Sequence, residues 1–471
     1  MRISRKCCIL NYIWAFSGDL FMSDMRSMDR ENKKRQLRSN IVQLPKQSHL
    51  AQYEEEEDSE EIIRQYQSGK RRKKLLITLV VTVFLATTIF CLYRYQKEYE
   101  YKEYEVTWQQ AMRYMDDTVT TASENDDSGL SDSSEKGFGE NSFVKFAYFG
   151  ENMIKYTKDG ATYIDASGKN IWTQSYEMKT PVIHVNGDYV IIADQQGNDI
   201  YICNTEGCTG IAKTQLPITK AAVSAQGVTA AVVEDSTASY IFYFKKNGEN
   251  LGINIKMLLS GDGYPVDLAL SPDGKQIVMS VMYMTNGAMK NKVVFYDFSE
   301  IGKNVNNRFV GGFEEEFNDK MVARVRYIND ETVCAFSDKG LTFISVKDVI
   351  PDTNVISVAV EEEIESICYS DKYAAVVVDN PSGNPYRVDV YGTDGKQAAS
   401  IDFDYNYTGV KIDGEKIILY NEESCRYYDM DGNMKFEGRF DFDVACVRDS
   451  KKHLNSLILA GAEVMKEIKL K

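Results

Sequence analysis

The side chains able to do acid–base or metal chemistry are few and scattered in this 471-residue sequence. Histidine occurs only at His49, His184 and His453. The sequence contains no G-x-S-x-G, H-E-x-x-H or G-x-x-x-x-G-K-[ST] motif, so it lacks the local signatures of serine hydrolases, zinc proteases and P-loop nucleotide-binding proteins. We therefore expect His184 and His453 to be structural residues rather than catalytic bases.

Two short sequence patterns are similar to ligand-binding motifs but are incomplete. The run D-M-D-G-N at Asp429 to Asn433 has acidic spacing like a calcium loop, but its glycine comes two positions early and the closing glutamate is misplaced. None of the nine cysteines forms a C-x-x-C pair. Cys203 and Cys208 flank a predicted hairpin turn. They could form a small disulfide or remain two buried thiols, and we favour the thiols. We predict no metal ligands and no cofactor.

One element recurs from Phe143 to the end of the sequence: an apolar alternating strand, a tight polar turn and a second strand. It occurs eight times, about 37 to 55 residues apart, which is the period of a four-stranded propeller blade. Its turns lie at Gly150, Gly187, Gly227, Gly274, Asn329, Asp371, Gly414 and near Lys451. The pattern predicts an all-β fold, a β-propeller of eight blades or alternatively seven, with a β-sandwich as the competing fold.

A second hairpin follows in several units, as in YIDASGKNIW and YYDMDGNMKFEG, with a Gly where the turn needs positive φ. Trp172 ends the first of these on a predicted outer strand, where it should pack one blade against the next. The last unit supplies three strands. Either an N-terminal strand closes the ring or the last blade is short.

Three resemblances accompany this pattern. The run L-S-P-D-G-K at Leu270 to Lys275 resembles the blade signature of TolB-like and WD40-like propellers. ATYIDASGKNIWTQSY, residues 161–176, resembles a blade of the quinone-cofactor dehydrogenases, which implies a tryptophan platform, a calcium ion, an arginine or lysine, and often a vicinal disulfide. None of these can be placed here, because Trp172 is the only tryptophan among the repeats. We read the stretch as scaffold.

Residues 143–471, with the apolar segment before them, also resemble an uncharacterised family of single-pass membrane proteins of Gram-positive bacteria. That family carries an extracytoplasmic quinoprotein-like or WD40-like propeller, a domain of unknown function. The resemblance implies a fold and a location but no activity.

An uncharged segment from Leu75 to Tyr93 is about 28 Å long as a helix, close to the thickness of a bilayer's hydrocarbon core. We interpret it as an uncleaved signal anchor. The basic residues before it place the N-terminus in the cytoplasm by the positive-inside rule, which makes the chain a type II single-pass protein of the cell membrane. These residues are Lys70, Arg71, Arg72, Lys73 and Lys74.

The predicted organisation has five parts: a disordered cytoplasmic tail (1–74), the transmembrane helix (75–93), a helical stalk (94–117), a flexible linker (118–142) and the propeller (143–471). Aromatic residues at a membrane interface explain Tyr93, Tyr95 and Tyr99 as well as a dimer seam does, so a dimer is the less favoured reading. The stalk is predicted from aromatic and apolar residues at coiled-coil spacing. They are Tyr101, Tyr104, Trp108, Ala111 and Met115.

Acidic residues exceed basic ones by 70 to 55, for a net charge of −15. The excess follows the membrane segment and argues against nucleic acid as a partner. Because the chain alternates ends in a four-stranded blade, the second-to-third-strand loops (here 285–291 and 379–387) share one face with the links between blades. Four of those links are acidic and predict a partner-binding face formed by Glu314, Glu315, Glu316, Glu361, Glu362, Glu363, Asp402, Asp404, Asp441 and Asp443.

Since no catalytic motif is found, the predicted function is a non-enzymatic scaffold at the cell surface that binds a protein or cell-wall component. The alternative is an extracytoplasmic, lactonase-like hydrolase with a metal at the central channel. The oligomeric state stays open.

Overall fold

In the computed structural model, residues 75–95, 99–111, 144–165, 167–381 and 383–471 are described. The predicted tail with its basic flank, and the predicted linker 118–142, lie outside these residues.

Helix α1 (Leu75–Tyr95) is long and apolar enough to cross a membrane. Its hydroxyl side chains bond back to the helix, as from Thr82 Oγ1 to the Leu79 carbonyl (2.8 Å) and from Thr88 Oγ1 to the Phe84 carbonyl (2.7 Å). The prediction of a candidate span from residue 75 is confirmed, and the helix continues two residues beyond the predicted end.

The remaining described residues form eight four-stranded antiparallel sheets, the blades of a β-propeller. The strands of blades 1 to 4 are β2 (Lys145–Phe149), β3 (Asn152–Tyr156), β4 (Gly160–Ile164), β5 (Asn170–Ser175); β6 (Pro181–Asn186), β7 (Tyr189–Asp194), β8 (Asp199–Asn204), β9 (Gly207–Lys213); β10 (Ile218–Val223), β11 (Thr229–Glu234), β12 (Ala238–Phe244), β13 (Asn250–Leu258); β14 (Tyr264–Leu270), β15 (Gln276–Thr285), β16 (Ala288–Asp297), β17 (Phe309–Phe313).

Blades 5 to 8 continue the ring, and the outer strand of blade 8 comes from the N-terminal side as β1 (Tyr104–Ala111). The other strands are β18 (Val322–Asn329), β19 (Thr332–Ser337), β20 (Gly340–Ser345), β21 (Ile356–Ala359); β22 (Ile364–Tyr369), β23 (Tyr373–Asp379), β24 (Tyr386–Gly392), β25 (Gln397–Phe403); β26 (Gly409–Asp413), β27 (Lys416–Tyr420), β28 (Ser424–Asp429), β29 (Met434–Arg439); β30 (Cys446–Asp449), β31 (Ser456–Ala460), β32 (Val464–Leu470). Short 3-10 turns lie at Gly302–Asn304, Asn306–Arg308 and Glu315–Phe317.

Eight blades are therefore confirmed, and all eight predicted first hairpins are present. Their turns use Gly where the backbone requires it. Gly187 has φ 55°, and a Cβ there would lie 2.7 Å from the Cβ of Ala225 in the next blade, so no larger residue fits without movement.

The hydrophobic core is divided among the interfaces between blades. In the described part of the chain, eight buried clusters each join two neighbouring blades, including blade 8 with blade 1. Because both faces of a blade are covered, its second strand is almost continuously apolar, as in YVIIAD of β7. Trp172 joins blades 1 and 2 as predicted, since its Nε1–H donates to the carbonyl of Asn204 (3.1 Å).

Strand β1 closes the ring by pairing antiparallel with β32, from Tyr104 opposite Leu470 to Ala111 opposite Val464. It also contacts both neighbouring blades. Tyr104 packs edge-on against Phe436 of blade 7 and donates its hydroxyl to the Arg439 carbonyl (2.9 Å). Trp108 packs against the cluster shared by blades 8 and 1. The expectation that an N-terminal strand might complete the last blade is confirmed.

The predicted helical stalk (94–117) is wrong over this segment. Helix α1 ends at Tyr95, residues 104–111 are a strand, and residues 112–117 lie outside the described residues. The four-residue spacing of Tyr104 and Trp108 suggested a helix face, but a strand with a bulge between Val106 and Trp108 presents the same two rings to the core. The partner strand follows more than 350 residues later, where no local pattern can reveal it.

A buried carboxylate stabilises the closure of the ring by β1. Glu467 of β32 accepts hydrogen bonds from Ser450 Oγ (2.6 Å) and Thr107 Oγ1 (2.8 Å), and its Oε1 lies 2.9 Å from His453 Nδ1. Burial alone would raise the pKa of Glu467, but these hydrogen bonds outweigh it and lower the pKa below the ordinary value. The ionised form is therefore the one that stabilises blade 8.

Removing β1 should destabilise the propeller. We expect a fragment of residues 126–471 to unfold at a lower urea concentration than one of residues 99–471. The expected loss is about 2 to 4 kcal/mol, because Tyr104 and Trp108 are each half-buried and full burial of a large apolar side chain contributes about 1.5 to 3 kcal/mol. Equal midpoints and slopes for the two fragments would show that β1 is dispensable.

Glu467→Gln should cost about 1 to 3 kcal/mol at pH 7, since hydrogen bonds to a charged acceptor are lost. Because the folded pKa lies below the unfolded one, this stabilisation is complete above about pH 4.3 and disappears as the pH falls through the folded pKa. Urea unfolding of native and variant protein should therefore converge in acid. The exposed Glu463→Gln in the same blade is the control, and a gap that persists unchanged at pH 2 would contradict the assignment.

Candidate binding face

Links between blades and the loops joining second to third strands emerge at the same end of the ring, because consecutive strands of each blade are antiparallel. We call this end the link face; it comprises the links 314–321, 360–363, 404–408 and 440–445 and the loops 286–287 and 380–385. Strand β1 begins at the opposite end, where Tyr104 faces Leu470 at the end of β32. The chain thus enters the propeller away from the link face.

The acidic segments predicted from the sequence all lie at this end of the ring. Glu314, Glu315 and Glu316 lie between blades 4 and 5, where Phe317 is fully buried and anchors the link. The others lie at the next three blade junctions: Glu361, Glu362 and Glu363; Asp402 and Asp404; Asp441 and Asp443.

Several of these carboxylates already have partners within the propeller. Arg387 Nη2 lies 2.7 Å from Glu362 Oε1, Arg426 Nη1 lies 2.6 Å from Asp404 Oδ1, and Lys466 Nζ lies 2.6 Å from Asp441 Oδ1. In each case the hydrogen bond from the cation is the main cause that lowers the pKa of the carboxyl group. These three acids are structural ions rather than open ligands.

Three more of the predicted acidic residues accept hydrogen bonds from neighbouring side chains. Glu316 accepts from Lys320 Nζ and Ser357 Oγ, both at 2.6 Å. Asp402 accepts from the Asn380 amide (3.0 Å), and Glu314 accepts from the Tyr283 hydroxyl.

Four carboxylates stay exposed and, among the described residues, have no side-chain partner. They are Glu315, Glu361, Glu363 and Asp443. The predicted arc of ten acids is therefore reduced to four, distributed over three junctions. Of the compensating cations, only Lys320 could have been found in the sequence, four residues after Glu316; Arg387, Arg426 and Lys466 come from other strands.

The link face also carries a projecting hairpin that the sequence did not predict. Residues 285–291 were expected to be a loop, but β15 and β16 extend beyond the sheet and remain paired as far as Thr285 and Ala288. Met284 and Met289 face each other near its tip and are 72% and 58% exposed. The Lys292 Nζ lies 4.8 Å from the centre of the Tyr283 ring at the base of the hairpin.

A polar cavity of about 300 Å³ opens on blade 7. It lies around Arg426, which bridges Asp404 and Glu437 (2.9 Å) and lies 5.1 Å from the centre of the Tyr405 ring. The lining residues are Asp404, Tyr405, Asn406, Asn421, Glu423, Ser424, Arg426, Glu437, Gly438 and Arg439. Its principal cation is already held between two carboxylates.

No three His, Cys, Asp or Glu side chains converge as metal ligands would within the part of the chain that the structure describes. The run at Asp429 is a turn, in which the Asp429 carboxylate accepts from the backbone N–H groups of Asp431 and Asn433. Cys203 and Cys208 are directly opposite in the β8–β9 pair and are free thiols. These residues supply no ligand set for the lactonase-like alternative.

Comparison with known proteins adds little about activity. No curated protein matches the chain. Similar solved structures include hydrazine synthase of Kuenenia stuttgartiensis (14% identity, TM-score 0.40, covering 65% of this chain and 100% of that one). Hsv2 of Kluyveromyces lactis is 12% identical with a TM-score of 0.42, covering 63% and 99%, and apo AztD from Citrobacter koseri is 8% identical with a TM-score of 0.44, covering 64% and 87%. Likeness at this level carries no argument about function.

A family profile matches residues 126–470. This segment contains every strand of the propeller except β1, so the ring is completed by residues that precede it. The chain belongs to DUF5711, a family of unknown function.

Proposed function

We propose that this protein is a membrane-anchored scaffold that binds another protein through the link face. Helix α1 is the anchor, the basic residues 70–74 keep the N-terminus in the cytoplasm, and the propeller is extracytoplasmic. The proposal is for binding rather than catalysis, because the described residues offer carboxylates and apolar side chains but no convergent catalytic set.

The observation that carries the proposal is the exposed pair Met284 and Met289, which lies next to a carboxylate that no cation neutralises. Tyr283, next to Met284, donates to Glu314, and the following residue is the free Glu315. Exposed Met side chains adapt to irregular apolar surfaces, and a central apolar contact with a polar rim is typical of protein interfaces. The link face therefore fits a partner segment that combines apolar side chains with Lys or Arg.

Surface labelling of intact cells tests the orientation. A membrane-impermeant amine-reactive biotin reagent should modify exposed propeller lysines such as Lys246 and Lys372 in whole cells. Lys33, Lys34 and Lys46 of the tail should react only after lysis. Peptide mass spectrometry reads both sets, and labelling of the tail but not the propeller in intact cells would reverse the proposed topology.

A crosslinking pull-down with the full chain tests the binding face. One variant replaces the apolar pair (Met284→Ser with Met289→Ser), and a second replaces the free acids (Glu315→Gln, Glu361→Gln, Glu363→Gln, Asp443→Asn). The matched control changes four exposed acids at the opposite end of the ring: Glu151→Gln, Asp188→Asn, Glu206→Gln and Glu415→Gln. All three should keep the native melting temperature within about 2 °C, since surface substitutions change stability little.

We expect a partner captured by the native chain and by the control to be reduced at least about fivefold with each link-face variant, because central contacts dominate interface energy. Equal capture by all four proteins would place the binding surface elsewhere. Loss with the control alone would move it to the opposite end of the ring.

A further inference from the structure

The inner strands of the propeller surround a central channel, and first strands of neighbouring blades contact one another around it. Since both faces of each blade are covered, an exposed side chain in the middle of an inner strand can only face the channel. Arg324 of β18 is such a residue: it is exposed and follows a bulge after Val322. No acidic side chain pairs with it among the described residues.

A second polar group in the channel is His184 of β6. Its Nδ1 accepts the backbone N–H of Val223 in blade 3 (3.2 Å), so the ring proton of the neutral imidazole lies on Nε2. Burial, followed by the charges of Arg326 and Arg324, lowers the pKa of His184 to about 3. His184 is thus a neutral donor whose Nε2–H has no partner among the described residues.

The two groups come from distant parts of the ring. His184 belongs to blade 2 and the arginines to blade 5, with blades 3 and 4 between them, so their interaction passes across the channel. Arg326 is held in place by Asp267 Oδ2 (2.7 Å) and by the hydroxyl of Tyr369 (3.1 Å). Arg326 is thus engaged in an ion pair, whereas Arg324, two residues earlier in the same strand, is not.

Asp267 compensates Arg326, which leaves Arg324 uncompensated in a protein of net charge −15. On the other side of the ring Lys411 Nζ lies 3.2 Å from the centre of the Tyr148 ring, and Arg448 approaches the same ring and donates to the carbonyl of Asn152 (3.2 Å). Lys411 interacts electrostatically with Asp413, and the inner strand β22 carries the exposed Glu365, so the inner strands hold charges of both signs and the site depends on the unpaired Arg324 itself.

We propose that Arg324, Arg326 and His184 form a binding site for a small oxyanion, of the carboxylate or phosphate class, in the central channel. The planar guanidinium of Arg324 presents paired N–H donors that match two oxygens of such an anion. The Nε2–H of His184 supplies a third donor from across the channel. The site is independent of the link face and of the scaffold function proposed above.

Isothermal titration of the full chain in detergent with inorganic phosphate, sulfate and acetate tests the site and identifies the preferred anion class. We expect saturable one-to-one binding of at least one of them and at least a tenfold weaker affinity for Arg324→Ala. Arg439→Ala is the matched control, because it removes an exposed arginine from the outer strand of blade 7. Equal weakening by both substitutions would indicate diffuse attraction and overturn the proposal, as would the absence of binding.

Imidazole NMR gives a readout that a change in folding would not reproduce. The chain has three histidines, so selective labelling resolves His184 once His49 and His453 are replaced by Gln. The Nε2–H resonance of His184 should shift with the preferred anion at the concentration found by titration, and the shift should be lost in Arg324→Ala with the melting temperature unchanged. A resonance that does not respond to any anion that binds would overturn the assignment to this site.

Discussion

Burial of each blade between its two neighbours is the interaction on which this structure depends. A propeller blade has two apolar faces, and neither is covered unless another blade packs against it. The eight clusters join all eight pairs of neighbours, so the ring has no exposed apolar end. Closure is consequently a condition of stability for every blade, not a local property of the last one.

This requirement explains why the segment that follows helix α1 by a few residues is a strand. Without β1, blade 8 would lack its outer strand, and the apolar surface where Trp108 contacts blades 8 and 1 would be open to water. Glu467 stabilises the same place by accepting hydrogen bonds from Thr107 in β1 and from Ser450 in the first turn of blade 8. Helix α1 and the closing strand of the propeller are thus separated by only a few residues in the chain.

The same packing determines how charge is distributed. Because the faces of the blades are covered, charged side chains lie in three kinds of place: the outer surface, the two ends of the ring and the channel. On the link face three of the predicted acids pair with cations from other strands, as Glu362 pairs with Arg387, and four remain free at three blade junctions. In the channel Arg324 has no carboxylate partner among the described residues, whereas Arg326 is paired with Asp267. The link face and the channel therefore expose different groups, carboxylates and methionines at the first and an unpaired arginine at the second.

Local pattern was sufficient for most of the architecture. The eight hairpins, the helix from Leu75, the contact of Trp172 and the end of the ring at which the acidic links lie follow from short-range periodicity, turn chemistry and strand alternation, which are properties of adjacent residues. Tertiary structure decided what depends on distant residues: β1 as a strand paired with β32, the neutralisation of Asp404 and Asp441 by Arg426 and Lys466, and the hydrogen bond between His184 and the backbone of Val223 in the next blade. The physical reason is that hydrogen-bond partners and compensating charges are chosen by proximity in space, and only the closed ring brings these residues together.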